Sequence, residues 1–348
     1  MIHVSVGNTF DYKLLDGLSE LSNPAMKVTE LFGSIKGISP TCRSEDRIPY
    51  RSFPDLEEYV KRAASLGMDL TWTLNANCLG KIEDFERQWN DSLVPTLGRL
   101  WEYGVHRFII AHPLMMKLVR AFFPEAYLEV STVAEVDSVD KILFWRDLGA
   151  NAICGKHSLN REFTILEPFI KECKSLGMAY RFIVNELCIK ECPYRTSCYL
   201  ASSHNSERKV FGGWPFSDCS DLRKKNPYLW VSAPFILPQW LPFYVEKFGP
   251  DLSIKIVGRT SSTENVLRVT NWYFDGYYGG NLLDIWPGVE HLVGREPVKE
   301  IISCARLDEK GFFQYFLNRG RPCSVLECGK YCTHCLDAYE RAREKKAG

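Results

Sequence analysis

Short apolar runs alternate along this chain with stretches whose apolar residues recur every three to four positions. The runs His3–Gly7, Val28–Phe32, Leu70–Leu74, Arg107–Ala111, Tyr127–Ser131, Ala152–Gly155, Ala179–Val184 and Ser253–Val257 read as buried strands. Helical periodicity fills the gaps between them. It runs from Leu56 to a stop at Gly67, from Ile82 to Tyr103 before Gly104, and from Val136 to Leu148 before Gly149. It returns over Phe163–Leu176, Trp240–Phe248 and Glu264–Phe274, each closed by a glycine within two residues. A glycine just past the last periodic residue ends a helix because it takes the left-handed conformation without a Cβ penalty. Eight βα units in sequence predict an α/β chain folded as a (β/α)8 TIM-type barrel. Alternation alone also fits a doubly wound open sheet, and the count of eight favours the barrel.

Two parts exceed a bare barrel. The first is a cysteine-rich loop, residues 185–219, between the seventh strand and its helix. The second is the end of the chain, which is again rich in cysteine. The domain reading is a barrel over residues 1–284 carrying the 185–219 insertion, followed by a Cys-rich extension over 285–348.

Lys plus Arg and Asp plus Glu are equal, at 43 each, so charge provides no case for non-specific nucleic-acid or membrane-surface binding. The N-terminus lacks a basic and then apolar leader, and no apolar run approaches the ~20 residues that cross a bilayer. The expected location is the cytoplasm. In a reducing compartment, 13 cysteines point away from a disulfide framework and toward metal or redox work.

Active sites of barrels lie at the C-terminal ends of the strands. The residues there are Asn8, Ser34, Lys36, Asn75, Asn77, His112, Ser131, Thr132, Lys156, His157, Asn185, Glu186, Arg259 and Thr260. Such a ring suits a polar or anionic small molecule, with Arg259 as a bidentate clamp for carboxylate or phosphate and Asn75 and Asn77 as hydrogen-bonding groups. Each member alone is equally a helix cap or a loop hydrogen bond. Glu30 and Glu186 are the acid/base candidates near strand ends.

The loop thiols Cys188, Cys192, Cys198 and Cys219 are spaced C-x3-C-x5-C-x20-C. This is neither a zinc ribbon nor the standard ferredoxin run, and it suits an iron–sulfur cluster, expected to be four-iron in type, better than zinc or unligated thiols. The tail thiols Cys323, Cys328, Cys332 and Cys335, spaced C-x4-C-x3-C-x2-C, fit a second iron–sulfur cluster or a zinc ion. The last three also spell the radical S-adenosylmethionine signature. They follow all eight strands instead of the first, and Cys323 would fill the site that S-adenosylmethionine needs. Cys154 and Cys173 read as small core residues, while Cys42 and Cys78 lie near the mouth. No H-E-x-x-H or G-x-S-x-G motif supports classical hydrolase chemistry.

The segments 73–80 (TLNANCLG), 131–138 (STVAEVDS), 184–195 (VNELCIKECPYR) and 255–259 (KIVGR) together resemble the peptidase U32, or collagenase-like protease, family. The likeness runs roughly from Asn75 to Asp284, and the Cys188/Cys192 motif with Pro193-Tyr194-Arg195 is its most specific part. The resemblance implies a barrel with a cysteine-bound iron–sulfur cluster. It also implies oxygen-independent hydroxylation, in relatives, of RNA bases or quinone precursors, some with prephenate as oxygen donor. The chain departs from the family in having Cys198 where His is expected, and in its cysteine-rich tail. The resulting expectation is an iron–sulfur enzyme acting on a polar small molecule, an RNA base or a peptide, with no membrane partner. The alternatives are a peptidase and a non-catalytic cluster-bearing subunit of another enzyme.

Overall fold

The computed structural model describes residues 1–38, 40–43, 47–204, 214–286, 301–323 and 328–343. The strands are β1 (Ile2–Gly7), β2 (Met26–Gly33), β3 (Asp69–Leu74), β4 (Arg107–Ile110), β5 (Tyr127–Val130), β6 (Ala152–Cys154), β7 (Ala179–Ile183) and β8 (Ser253–Ile256). All pair in parallel in chain order, and β8 closes on β1, with Val4 opposite Ile254. The sheet is therefore a closed barrel, and the open-sheet alternative falls away. Helices Phe53–Ser65 and Thr263–Asp275 begin where the Ser52 and Ser262 hydroxyls accept a backbone amide of the first turn. The long periodic stretch from Ile82 is interrupted by a wide turn at Trp89–Leu93. Pro95 follows, without the amide that a regular turn there would use.

The barrel interior is ionic. Glu30 on β2 pairs with Arg181 on β7 at 3.0 Å, and Arg181 Nε meets Glu129 on β5 at 2.7 Å. Lys255 on β8 reaches Glu129 at 3.1 Å, and the Ser5 hydroxyl donates to Glu30 at 2.5 Å. Strands so far apart in the barrel order meet only across its centre. Burial pushes the Glu30 carboxyl up, but Arg181, Lys255, Arg107 and Ser5 together override it and hold it at about 2. Glu30 is thus held in the barrel's ion-pair network, a structural place that does not call for an acid/base role.

The described part of the 285–348 extension folds onto the barrel instead of building a core of its own. Phe313 stacks on Trp240 with ring centroids 4.7 Å apart, and the Trp240 indole donates to Asp308 at 2.8 Å. Ile302, Phe312, Phe316 and Tyr339 belong to the same buried apolar cluster as the barrel strands. Among the described residues, no helix is long and apolar enough to cross a membrane.

Candidate functional site

After β8 the chain passes through Gly258, at φ 137°, into Arg259. Gly7 ends β1 alongside. A Cβ there would lie 2.9 Å from the Arg259 amide nitrogen, so the close approach requires glycine. The Arg259 guanidinium is buried. It donates to the hydroxyls of Thr73 at 2.5 Å, Thr41 at 2.8 Å and Ser34 at 3.5 Å. Thr73 hands its own proton to Ser34 at 2.9 Å, and Thr41 hands its proton to Asn75 Oδ1 at 3.0 Å. Asn75 Nδ2 extends the chain toward the Ser131 hydroxyl at 3.5 Å. Among the described residues, every side-chain hydrogen-bond partner of Arg259 is neutral. Burial, and then the charge of Arg43, pull its proton affinity down. A guanidinium keeps its proton in proteins, so the unmet demand is for a counter-anion.

Thr41 and Thr73 were not among the sequence candidates. Thr73 sits in a strand that reads as core, and Thr41 in a link without periodicity. Several ring members instead serve structure. Asn8 accepts from the Tyr59 hydroxyl at 2.6 Å and from the Phe10 amide. His112 accepts the Leu114 amide as a helix cap. Asn185 bridges to Val257 through both ends of its amide.

The cysteine loop is docked on this mouth through the helix Arg195–Ser203. The Tyr199 carbonyl lies 3.6 Å from the Cys42 thiol, and the Cys42 amide donates to the same Asn75 Oδ1 that anchors Thr41. The Ser203 hydroxyl donates to Asn77 Oδ1 at 2.9 Å and accepts the Asn77 amide at 3.1 Å. Arg195 locks the base of the loop. Its guanidinium donates to the Ile189 carbonyl at 2.6 Å, contacts the His157 ring and approaches Glu135 at 3.3 Å. Burial and the adjacent Arg195 push His157 well below its usual range, so it faces that cation as a neutral ring.

Within the loop, the Cys192 and Cys219 thiols are hydrogen-bonded neighbours. That bond is the largest influence lowering Cys219, to about 6, against burial and with help from Arg223 and Arg195. Cys188 is raised by burial and then by Glu186, whose carboxylate also accepts the Cys188 amide at 3.0 Å. Cys188 further feels Cys198, and Cys192 feels Cys188. All four sequence-predicted thiols are therefore electrostatic neighbours. Buried Arg223 donates to the Leu187 carbonyl and lies 3.8 Å from the centre of the Trp230 ring. Its Nε and Nη1 find no hydrogen-bond partner among the described residues. A guanidinium that hydrogen-bonds the Cys219 thiol and has N–H groups to spare fits a thiolate-bound, sulfide-bearing cluster that accepts such bonds.

The tail thiols also come together. Cys323, Cys328, Cys332 and Cys335 line one pocket with Tyr228, Tyr315 and His334. Cys323 is lowered to about 5, chiefly by a hydrogen bond from Cys328, against burial and with help from Lys190 and Arg319.

Fold and site together define a closed (β/α)8 barrel with a four-cysteine loop docked over the C-terminal ends of its strands. The Peptidase family U32 profile matches residues 47–213, which span the third to seventh strands and the start of this loop. An uncharacterized protease of Methanocaldococcus jannaschii is 28% identical over 298 residues, covering 84% of this chain and 82% of that one. The solved structure of the U32 peptidase Mk0906 superposes with a TM-score of 0.51 over 74% of this chain and 94% of that one, at 16% identity, a likeness of fold. Over residues 47–213 the chain is similar to the peptidase U32 family.

Proposed function

We propose that this protein is an iron–sulfur enzyme that binds a polar, anionic small molecule, or an anionic modification site on RNA or a peptide, at its barrel mouth. The chemistry proposed there is an oxygen-independent hydroxylation or a related redox or group transfer. The supporting observation is the conjunction at one mouth of a buried guanidinium with neutral partners and a four-thiol loop docked on the same Asn75–Asn77 segment. Cys188, Cys192, Cys198 and Cys219 would hold the cluster. A bound cluster supplies one-electron redox chemistry that no side chain offers. The chain's own residues do the rest. Arg259 receives the anion, and the Thr41 and Thr73 hydroxyls hold its fork in place. Asn75 and Asn77 orient neutral groups of the substrate, while Glu186 fixes the Cys188 backbone. The helix Arg195–Ser203 covers one side of the mouth and limits water.

Peptidase chemistry finds less support. His112 is spent on a helix cap and His157 on Arg195, so neither activates a serine or cysteine at this mouth. Purified without oxygen, the wild type is expected to be brown and to contain iron and acid-labile sulfide in near-equal amounts. Cys188→Ala should lose the loop's share of both. A colourless wild type with stoichiometric zinc and no iron would overturn the reading.

A further inference from the structure

We propose that the tail thiols Cys323, Cys328, Cys332 and Cys335 form a second centre, an iron–sulfur cluster, which shares one short loop with the first. The inference uses the proposed function only in naming the first cluster; its own support is geometric and separate.

The four thiols line one pocket, and the chain turns back on itself between Cys328 and Cys332. Gly329, at φ 74°, makes this turn between Cys328 and Cys332, and its amide donates to the Cys332 carbonyl at 2.9 Å. A Cβ on Gly329 would also sit 3.0 Å from the Tyr228 hydroxyl. The helix His334–Ala342 then carries Cys335 to a half-buried position beside Arg161.

The surroundings suit an anionic group. Arg161 is buried, donates to the carbonyls of Val231 and Ser232, and lies over the ring of Phe316. Its charge acts on Cys323, Cys328 and Cys335. Lys190 contacts Glu162 and hydrogen-bonds Cys323, while Glu162 accepts the Cys323 amide at 2.7 Å. The Tyr315 hydroxyl lies 3.4 Å from the Cys332 sulfur. Two cations and a phenol around four sulfurs are the kind of outer shell that stabilises thiolates and tunes a cluster.

The space beside the thiols points to the occupant. Cys323, Cys328 and Cys335 face a cavity of about 250 Å³, lined also by Arg161, Lys190 and Tyr228. That volume is many times the roughly 10–15 Å³ that admits one water, and with two cations on its wall it leaves room for a multinuclear anionic group.

The two centres are joined by the segment 188–192. Cys188 and Cys192 turn to the first site and Lys190 to the second, with Glu191 at φ 46° reversing the chain between Lys190 and Cys192. At most about 7 Å of backbone separates Lys190 from either cysteine.

The test is an iron, sulfide and zinc inventory of anaerobically purified full-length protein, compared with Cys332→Ser/Cys335→Ser and, separately, Cys188→Ala. The expected result is about half the wild-type iron and sulfide in the tail variant, with no zinc lost. Unchanged iron in the tail variant, or loss of one zinc, overturns the proposal. Loss of iron in the tail variant alone supports this site and sinks the first, so the two failures are told apart. If the tail variant does not fold, spin counting on dithionite-reduced wild type decides. About two spins per chain, with a signal broadened by mutual coupling, supports the proposal, and one uncoupled spin overturns it.

Discussion

Arg259 is a buried cation whose described partners are all neutral, and such a group costs stability in the absence of an anion. Hydrogen bonds to charged groups contribute about 1.5–3 kcal/mol, so an anion bound by its fork gains roughly ten- to hundredfold in affinity. Arg259→Met should therefore lower affinity for a small dicarboxylate or inorganic phosphate by at least about tenfold in calorimetry. Its unfolding temperature should stay level or rise, since a buried charge is replaced by an apolar chain of similar length. A variant that binds as well as wild type would dismiss Arg259 as the clamp. The residue was visible in the sequence as a cation at a strand end. Its dependence on Thr41 and Thr73 was not, because hydroxyls brought together from distant segments leave no local pattern.

The insertion after β7 is an element held by few anchors, and Arg195 is chief among them. It ties Ile189 in the loop to His157 and Glu135, which leave β6 and β5. Arg195→Ala removes charge-assisted bonds worth about 1.5–3 kcal/mol to the closed loop. Amides 188–200 should then exchange roughly ten- to hundredfold faster, while amides of Val4 and Ile254 in the closed barrel keep their protection. Equal acceleration in both regions would show that Arg195 supports the whole fold. Its place in the Pro193-Tyr194-Arg195 motif marked it as distinctive. The reason for its identity lies in two other βα loops.

For the molecule as a whole, the question is whether barrel and tail unfold together. Phe313 packs on Trp240, Tyr244 and Phe163, all from the barrel side. Phe313→Ala should cost about 3–5 kcal/mol, as for large aromatic deletions in cores. The loss should appear as one shifted denaturant transition, identical by tryptophan fluorescence and by far-UV circular dichroism. Two separated transitions would instead mark the extension as an independent unit. The sequence reading divided the chain at 284/285 because the βα rhythm ends there. The aromatic contacts that cross that boundary, such as Phe313 on Trp240, join residues far apart in the chain, and periodicity does not encode them.

Local chain properties were enough to place eight strands, their glycine-stopped helices and two four-cysteine groups, because strand burial, helix periodicity and thiol spacing are all written over a few consecutive residues. Closure of the sheet, the ionic cluster of Glu30, Glu129, Arg181 and Lys255, and the docking of the cysteine loop on Asn75 and Asn77 were decided only by the tertiary structure. Each depends on residues far apart in the chain meeting in or over a closed ring, as Glu30 and Arg181 do across 151 positions. A charge that looks catalytic at a strand end is then either neutralised across the barrel, as Glu30 is, or left seeking an anion, as Arg259 is.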